Sequence, residues 1–250
     1  MILLTFNISI PKNNQKNANQ FSENELIESI KNNTKIIHRL LDLHGFSATF
    51  FVEISIANQL QKLLKTLALS GHEIALYNVD SDIDLIEKTK QNLEGILEKP
   101  IRGLRQKSYR LPYSNIKKSE FTYVSNIEES TINFLWRKLT AKTEIYTENE
   151  MTIVPESQSP YSQLPFNDYV LQVTPMKYYE NMLLESLKRA EYVMIYANAW
   201  QIYEKENLPF ELPFYKKFNL GRRFENRLEE LFQIINENEI AVSRMKDYLF

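Results

Sequence analysis

Short apolar runs alternate with amphipathic helical segments over most of this chain, and this alternation limits its fold more than any other feature. The runs Ile2–Phe6 and Ala48–Val52 have the length and composition of strands buried on both faces. Between them, Glu23–His44 carries apolar residues at helical spacing and is followed by Gly45, where a helix C-cap is expected. The pattern predicts parallel βαβ units.

The same pattern continues along the chain. Further strands are predicted at Glu73–Tyr77, Ile101–Leu104, Tyr192–Ala197 and Ile240–Ser243, and further helices at Ala57–Leu69, Asp84–Leu97, Lys177–Arg189 and Arg222–Asn236. Two stretches differ: Pro11–Gln20 is typical of a solvated loop, and Tyr109–Pro165 is irregular and proline-containing. Since no repeat or linker divides the chain, we predict one α/β domain over residues 1–250 with a barrel-like sheet.

Composition excludes several classes of function. The 30 basic and 32 acidic side chains give a net charge of −2, so no basic field attracts nucleic acid. Cysteine is absent, which excludes disulfides, thiolate nucleophiles and cysteine metal sites. No apolar run reaches the roughly 18–20 residues of a membrane helix, and the N-terminal run is too short for a signal-peptide core. We expect a soluble, cytoplasmic protein with no membrane span and no nucleic-acid partner.

Five short motifs occur in an order that resembles the polysaccharide deacetylase (NodB-homology) family. They are LLTF at Leu3–Phe6, FSATFFV at Phe46–Val52, GHEIA at Gly71–Ala75, GLRQ at Gly103–Gln106 and YANAWQI at Tyr196–Ile202. The resemblance implies a distorted (β/α) barrel of about seven strands, with its site at the carboxyl ends of the strands. It also implies a bacterial protein of carbohydrate metabolism.

Members of that family remove acetyl groups from sugars with a divalent metal, usually zinc. The resemblance places the catalytic base at Asn7 and a metal-binding or second acid at Ile8 or Ser9. It places the two histidine ligands at Tyr77 and Ser81, and the catalytic histidine at Asn198. An amide accepts no proton at neutral pH, and this set contains none of the carboxylate or imidazole ligands that zinc prefers. The resemblance therefore implies a degenerate member, a pseudoenzyme with no catalytic residues, no metal and no other cofactor.

Arg105 and Trp200 are retained from the family motifs. With Asn7 in place of the usual aspartate, a buried guanidinium is costly, so we expect Arg105 to turn to solvent or to find another acid, in preference to awaiting an anionic ligand. The predicted ligand pocket, at the former active site, consists of Asn7, Tyr77, Ser81, Arg105, Asn198 and Trp200.

The sequence predicts no metal site at the three histidines. His72 is expected to pack or to hydrogen-bond, and His38 and His44, six residues apart, are expected on different faces of a helix, at its surface or end. No His/carboxylate spacing typical of a metal site is recognised. The acidic run Asp80–Asp84 could form a weak oxygen-ligand site, but such a run is more typical of a solvated helix start.

Three classes of function stay open. The first is a non-catalytic homologue that binds a carbohydrate or a partner protein in envelope-polysaccharide metabolism. The second is an active hydrolase on acetamido C–N bonds of a carbohydrate, using atypical residues such as Tyr77, Asp80 or Lys107 in the same cleft. The third is a structural subunit of a complex. The sugar, the partner and the oligomeric state are not specified.

Overall fold

A computed structural model describes residues 1–11, 22–107, 111–127 and 143–250 of the chain. Nearly all of the predicted loop Pro11–Gln20 and the centre of the irregular stretch Tyr109–Pro165 lie outside these described residues.

One sheet organises the described chain. Its strands are β1 (Ile2–Ile8), β2 (Thr49–Glu53), β3 (Glu73–Asn78), β4 (Gly103–Lys107), β5 (Tyr123–Ile127), β6 (Tyr146–Glu148), β7 (Met151–Val154), β8 (Val193–Asn198) and β9 (Val242–Ser243). The order is β6-β7-β5-β4-β3-β2-β1-β8, with β9 paired to the start of β1. All pairs are parallel except β6–β7. Without β6 and the two-residue β9, seven parallel strands remain, in agreement with the roughly seven that the family resemblance implies.

Helices cover the outer face of the sheet, except the last one, which packs at the amino-terminal end of the barrel. They are α1 (Glu23–His44), α2 (Ile54–Ala57), α3 (Gln61–Leu69), α4 (Ile83–Leu97), α5 (Tyr113–Lys118), α6 (Asp168–Val173), α7 (Met176–Leu187), α8 (Arg222–Glu237) and α9 (Met245–Leu249). A capping box between Ser22 and Glu25 starts α1, and Gly45 ends it with φ +70°, a conformation that glycine adopts without strain. Among the described residues, none of the helices combines the length and apolar content needed to cross a bilayer.

Alternate residues of each strand face opposite sides of the curled sheet. Along β1, Leu3 belongs to the inner apolar cluster, whereas Leu4 and Phe6 belong to the larger cluster between sheet and helices. An isolated hydrogen bond joins the segment after β7 to β8: the Met194 N–H donates to Ser157 Oγ at 2.9 Å. The result is a half-barrel with a packed interior, the (β/α) barrel expected from the sequence.

A buried carboxylate closes the amino-terminal end of this barrel. Glu73 accepts hydrogen bonds from the Thr49 hydroxyl at 2.7 Å, the Tyr123 hydroxyl at 2.9 Å and the Lys246 N–H at 3.0 Å. Burial raises the pKa of Glu73, and these hydrogen bonds act in the opposite direction. Because Lys246 belongs to the first turn of α9, Glu73 fastens that helix beneath the barrel.

The element boundaries differ from the predictions in a few places. The strand predicted at Ile101–Leu104 is β4 at Gly103–Lys107, and the helix predicted at Ala57–Leu69 is interrupted by a 3₁₀ turn at Asn58–Leu60. The stretch that looked irregular contains three short strands, β5 to β7, and the helix α5. These elements are short, and their burial depends on contacts distant in sequence, so local periodicity is weak.

Candidate functional site

Strands β1, β3, β4 and β8 bring four of the sequence-predicted residues together. In the strand register Asn7 lies opposite Asn198, and Tyr77 lies opposite Arg105. We call the group formed by these four residues and Asp168, from the start of α6, the strand-end site.

Arg105 lies at its centre and is fully buried. Its guanidinium donates to Asn7 Oδ1 at 2.7 Å, to Thr5 Oγ1 at 2.9 Å and to Ser125 Oγ at 3.1 Å. The guanidinium carbon lies 3.8 Å from the centroid of the Phe51 ring, a cation–π contact. The Tyr196 ring centroid lies 5.3 Å from the same carbon, and the Met194 sulfur lies 3.6 Å from Nη2. Three neutral oxygens, one sulfur and two aromatic rings therefore surround this charge.

The expectation that Arg105 turns to solvent is wrong, and none of its hydrogen bonds goes to a carboxylate in the described chain. Burial lowers the pKa of Arg105 to about 10, while the nearby Tyr196 and Tyr77 phenols and the Glu156 carboxyl group act in the opposite direction. The side chain therefore keeps its charge at neutral pH. Its buried position excludes Arg105 from direct contact with a ligand in solution.

Two asparagines connect Arg105 to Asp168. Because Asn7 Oδ1 accepts from Arg105, its Nδ2 faces Asn198 and donates to Asn198 Oδ1 at 3.0 Å. The Asn198 Nδ2 then donates to Asp168 Oδ2 at 2.6 Å. We call this chain, in which every hydrogen bond runs from the cationic towards the anionic end, the amide relay. It orients both amides between two opposite charges.

A further glutamine holds the Asn198 end in place. Gln201 Oε1 accepts from the Asn198 N–H at 2.8 Å, and Gln201 Nε2 donates to the Asp168 carbonyl at 3.1 Å and to Gln172 Oε1 at 2.9 Å. Gln201 is fully buried. The backbone at both Asn198 and Asp168 is thus fixed by one side chain.

The three predicted pocket residues that take no part in the amide relay occupy three different surroundings. Tyr77 is buried in the inner cluster of the barrel. Ser81 lies half-buried in the turn after β3, where its N–H donates to Asn78 Oδ1 at 2.8 Å. Trp200 is buried in the outer core against Phe210, with ring centroids 6.1 Å apart. The structure therefore joins Asn7, Arg105 and Asn198 directly, while Trp200 belongs to the outer core.

Three buried carboxylates at this end of the barrel escaped the sequence analysis. Glu53 ends β2 and accepts from the Ile10 N–H at 3.1 Å, Glu156 accepts from the Tyr196 hydroxyl at 2.9 Å, and Asp168 joins the amide relay. Glu53 directly follows the FSATFFV motif, so its position was accessible to sequence reasoning. Glu156 lies in the irregular stretch, and Asp168 follows it.

The strand-end residues do not fit the zinc ion that the fold suggests. The Asn7 side-chain oxygen already accepts from a cation, and Ile8 points outwards into the apolar core. Tyr77 and Ser81 carry a phenol and a hydroxyl and no imidazole. Zinc in proteins is bound by imidazole, thiolate and carboxylate groups. No catalytic step through a metal is derived for these residues.

A His/carboxylate cluster does exist elsewhere, which corrects the sequence analysis. His38 Nε2 lies 3.3 Å from Asp42 Oδ2, one helical turn away, and the His38 and His72 rings are 5.1 Å apart. His72 Nδ1 accepts from the Ala48 N–H at 3.2 Å, so the neutral ring carries its proton on Nε2, the nitrogen that a metal would need. Burial lowers the pKa of His72 to about 4, which keeps this ring neutral. The cluster fits packing better than metal binding.

The other two sequence alternatives also have structural explanations. Asp82 is the N-cap of α4, with its Oδ1 accepting from the Leu85 N–H at 2.9 Å, as expected for a helix start. His44 lies half-buried at the end of α1, and its ring stacks on Phe46 and contacts Phe232.

Similarity to known proteins is confined to structure. No protein-family model and no curated protein matches the chain. A solved structure described as a polysaccharide deacetylase from Pseudomonas aeruginosa PAO1 matches with a TM-score of 0.63 and 11% identity, covering 98% of this chain and 88% of its own. A second such structure, from Mycobacterium smegmatis, matches with a TM-score of 0.59 and 13% identity, covering 99% and 87%.

A third similar structure is a CE4 family pseudoenzyme from Bacillus anthracis, with a TM-score of 0.51 and 12% identity over 100% of this chain and 65% of its own. At these identities the similarity establishes architecture, not activity. The half-barrel, its strand order and these matches together show that this chain has the fold of the polysaccharide deacetylases.

Proposed function

We propose that this protein is a non-catalytic relative of the carbohydrate deacetylases whose fold it shares, and that it binds a carbohydrate or a partner protein. One observation carries the proposal: Asn7 and Asn198 are hydrogen-bonded to each other at 3.0 Å and are 1% and 7% exposed. Two side chains in direct contact leave no space between them for an acetyl group, a water or a metal ion.

The chemistry of the amide relay supports the same conclusion. Neither amide takes up or releases a proton at neutral pH, so the pair offers no general base and no general acid. Loss of such assistance typically lowers rates by about 10²–10⁴-fold. Arg105, which could stabilise negative charge, is buried and fully engaged with Asn7, Thr5 and Ser125. The relay therefore stabilises the fold at the position where an active relative performs its chemistry.

The structural similarity is compatible with such a role. The Bacillus anthracis protein with the same fold is itself described as a pseudoenzyme, so the fold exists without the activity. With the motif resemblance, this supports the proposal of a binding role in bacterial envelope-polysaccharide metabolism. A cytoplasmic location is part of the same proposal.

Zinc content tests this proposal. After equilibration with excess zinc and desalting, we expect less than about 0.1 equivalent of zinc per chain, since the strand-end site lacks imidazole and carboxylate ligands of suitable geometry. Elemental analysis provides the measurement. The variant His38→Gln is the control, because it removes one potential ligand of the histidine cluster. One equivalent of zinc retained by both the wild type and His38→Gln would contradict the proposal.

A further inference from the structure

Residues 213–223 lead into α8 and combine aromatic with basic side chains. Their sequence, PFYKKFNLGRR, contains three aromatic and four basic residues and no acidic one, although the whole chain has a net charge of −2. A 3₁₀ turn at Phe214–Lys217 occupies its first part. We call residues 213–223 the aromatic–basic segment.

The two phenylalanines of this segment face solvent. Phe214 is 74% exposed and Phe218 is 57% exposed. The Phe214 ring centroid lies 5.9 Å from that of Tyr215, and the Tyr215 centroid lies 5.7 Å from that of Tyr169 in α6, both pairs edge to face. Single exposed apolar side chains are ordinary in a folded protein, whereas aromatic side chains in contact at the surface indicate an interaction site.

Hydrogen bonds to α6 hold the segment in this position. The Gln172 Nε2 donates to the Lys216 carbonyl at 2.9 Å and also to the Phe218 carbonyl. The Asn219 Nδ2 donates in return to the Gln172 carbonyl at 2.9 Å. Because the backbone is fixed at Phe218 and close to Phe214, the two rings stay at the surface.

Positive charge predominates around these rings. Lys216 and Lys217 lie between the two phenylalanines in the sequence, and Arg222 and Arg223 are exposed at the start of α8. The nearest acidic residues along the chain are Glu204, Glu206, Glu211 and Glu225.

Two of these acids have partners of their own. The Glu225 carboxylate pairs with Arg39 at 2.7 Å, and the Glu204 carboxylate accepts from the Arg222 N–H at 2.9 Å. Even if Glu204 is counted together with the remaining two acids, the four cations of the segment outnumber them. The aromatic–basic segment therefore attracts an anionic surface.

We propose that the aromatic–basic segment binds the surface of a bilayer that contains anionic phospholipids. Aromatic rings can enter the boundary between headgroups and acyl chains while neighbouring lysines and arginines contact the anionic headgroups. A nucleic acid fits this chain less well, because its net charge of −2 opposes a long polyanion. The inference concerns a surface other than the strand-end site and holds whether or not that site is catalytic.

Co-sedimentation of the full chain with lipid vesicles tests this inference. Vesicles of phosphatidylcholine with about 30% phosphatidylglycerol should bind the protein at least about tenfold more tightly than vesicles of phosphatidylcholine alone. The double variant Lys216→Gln/Lys217→Gln should weaken binding to the anionic vesicles by at least about fivefold. Phe214→Ser/Phe218→Ser should weaken it by at least about fivefold as well, because the apolar contribution is lost.

Matched controls on α3 separate this segment from the rest of the surface. Lys62→Gln/Lys65→Gln removes two exposed lysine charges, and Leu69→Ser removes an apolar side chain that is also 74% exposed. Both variants should bind the anionic vesicles as the wild type does. The substituted side chains in all four variants lie at the surface, and circular dichroism checks that each variant is folded.

Insertion of the rings has a separate readout. In Phe214→Trp, anionic vesicles should shift the tryptophan emission to shorter wavelength, and lipids brominated on their acyl chains should quench it. The wild type, with its own two tryptophans, is the reference for this measurement. An emission spectrum that vesicles change no more than that of the wild type would contradict insertion.

Four results of the vesicle experiment would overturn the inference: no binding to anionic vesicles, equal affinity for neutral vesicles, no weakening by the phenylalanine substitutions, or equal weakening by the control substitutions. Tighter binding of a thymidine oligonucleotide than of anionic vesicles would also overturn it, and would assign the segment to single-stranded nucleic acid. None of these outcomes changes the zinc content that tests the proposed function, so the two failures are distinguishable.

Discussion

Asn198→Asp is expected to destabilise the fold by about 3–5 kcal/mol at pH 7, the range found when a buried charge lacks a partner. The new carboxylate would face the Asp168 carboxylate, to which the Asn198 amide now donates at 2.6 Å. Both side chains are buried, with Asn198 7% and Asp168 4% exposed, so water screens the repulsion poorly. The change converts the anionic end of the amide relay into two like charges.

The same substitution at the other amide is the matched control. Asn7→Asp places its carboxylate beside Arg105, whose guanidinium donates to the Asn7 oxygen at 2.7 Å. The gained ion pair offsets the lost donation to Asn198, so we expect a change within about 1–2 kcal/mol. The relay therefore predicts that replacing asparagine by aspartate strongly destabilises the fold at position 198 and has a small effect at position 7, although the two side chains are in direct contact.

The pH dependence of Asn198→Asp follows from the same geometry. Burial and the neighbouring carboxylate raise the pKa of the new carboxyl group above its unfolded value of about 3.9. Its destabilising effect is then fully present above the raised pKa and disappears as the pH falls towards about 4. Urea unfolding of both variants and the wild type, at about pH 7 and about pH 4.5, measures these differences. Equal destabilisation by the two variants at pH 7 would contradict the relay.

Gly103→Ala is the second substitution with a large expected effect. A Cβ atom at this position would lie 2.2 Å from both Cζ and the hydroxyl oxygen of Tyr123. Tyr123 is fully buried and donates to Glu73 at 2.9 Å, so its ring cannot move aside without breaking that hydrogen bond. We expect the free energy of unfolding to fall by about 3 kcal/mol or more, the upper range for overpacking in a core.

Gly95→Ala provides the control for this substitution. Gly95 lies inside α4, and a Cβ there meets nothing within 4 Å. Because glycine is unfavourable inside a helix, the free energy of unfolding of this variant should rise by about 0.5–1 kcal/mol. The urea midpoints of the two variants should move in opposite directions, and a Gly103→Ala midpoint at or above that of the wild type would contradict the packing described here.

The fold was predictable where strands are continuous apolar runs. Ile2–Phe6 and Ala48–Val52 were recognised because buried parallel strands need no polar alternation. β5 was missed because it contains Ser125 and Asn126, which look unsuited to a buried strand. Ser125 is polar because its hydroxyl accepts from Arg105, a requirement set by another strand. A local sequence pattern does not reveal a hydrogen-bond partner on another strand.

For the strand-end site, the sequence pointed to every member except Asp168, and it did not predict the hydrogen bonds between them. Motif resemblance pointed to Asn7, Arg105 and Asn198, and the structure brings them into one hydrogen-bonded chain. The burial of Arg105 was mispredicted because a carboxylate was assumed to be necessary, whereas Thr5 and Ser125 supply neutral acceptors. These partners come from β1 and β5, which are not neighbours in the sheet and approach each other only in the folded half-barrel.

Acetate release from N-acetylated chitin oligomers tests the central claim most directly, namely that the amide relay has replaced a catalytic centre. With zinc supplied, we expect the wild-type protein to release no more acetate than buffer alone. The Asn7 and Asn198 side chains are hydrogen-bonded to each other, and neither amide can transfer a proton. Release proportional to protein concentration and abolished by Asn198→Ala would contradict the claim and favour an active hydrolase with atypical residues.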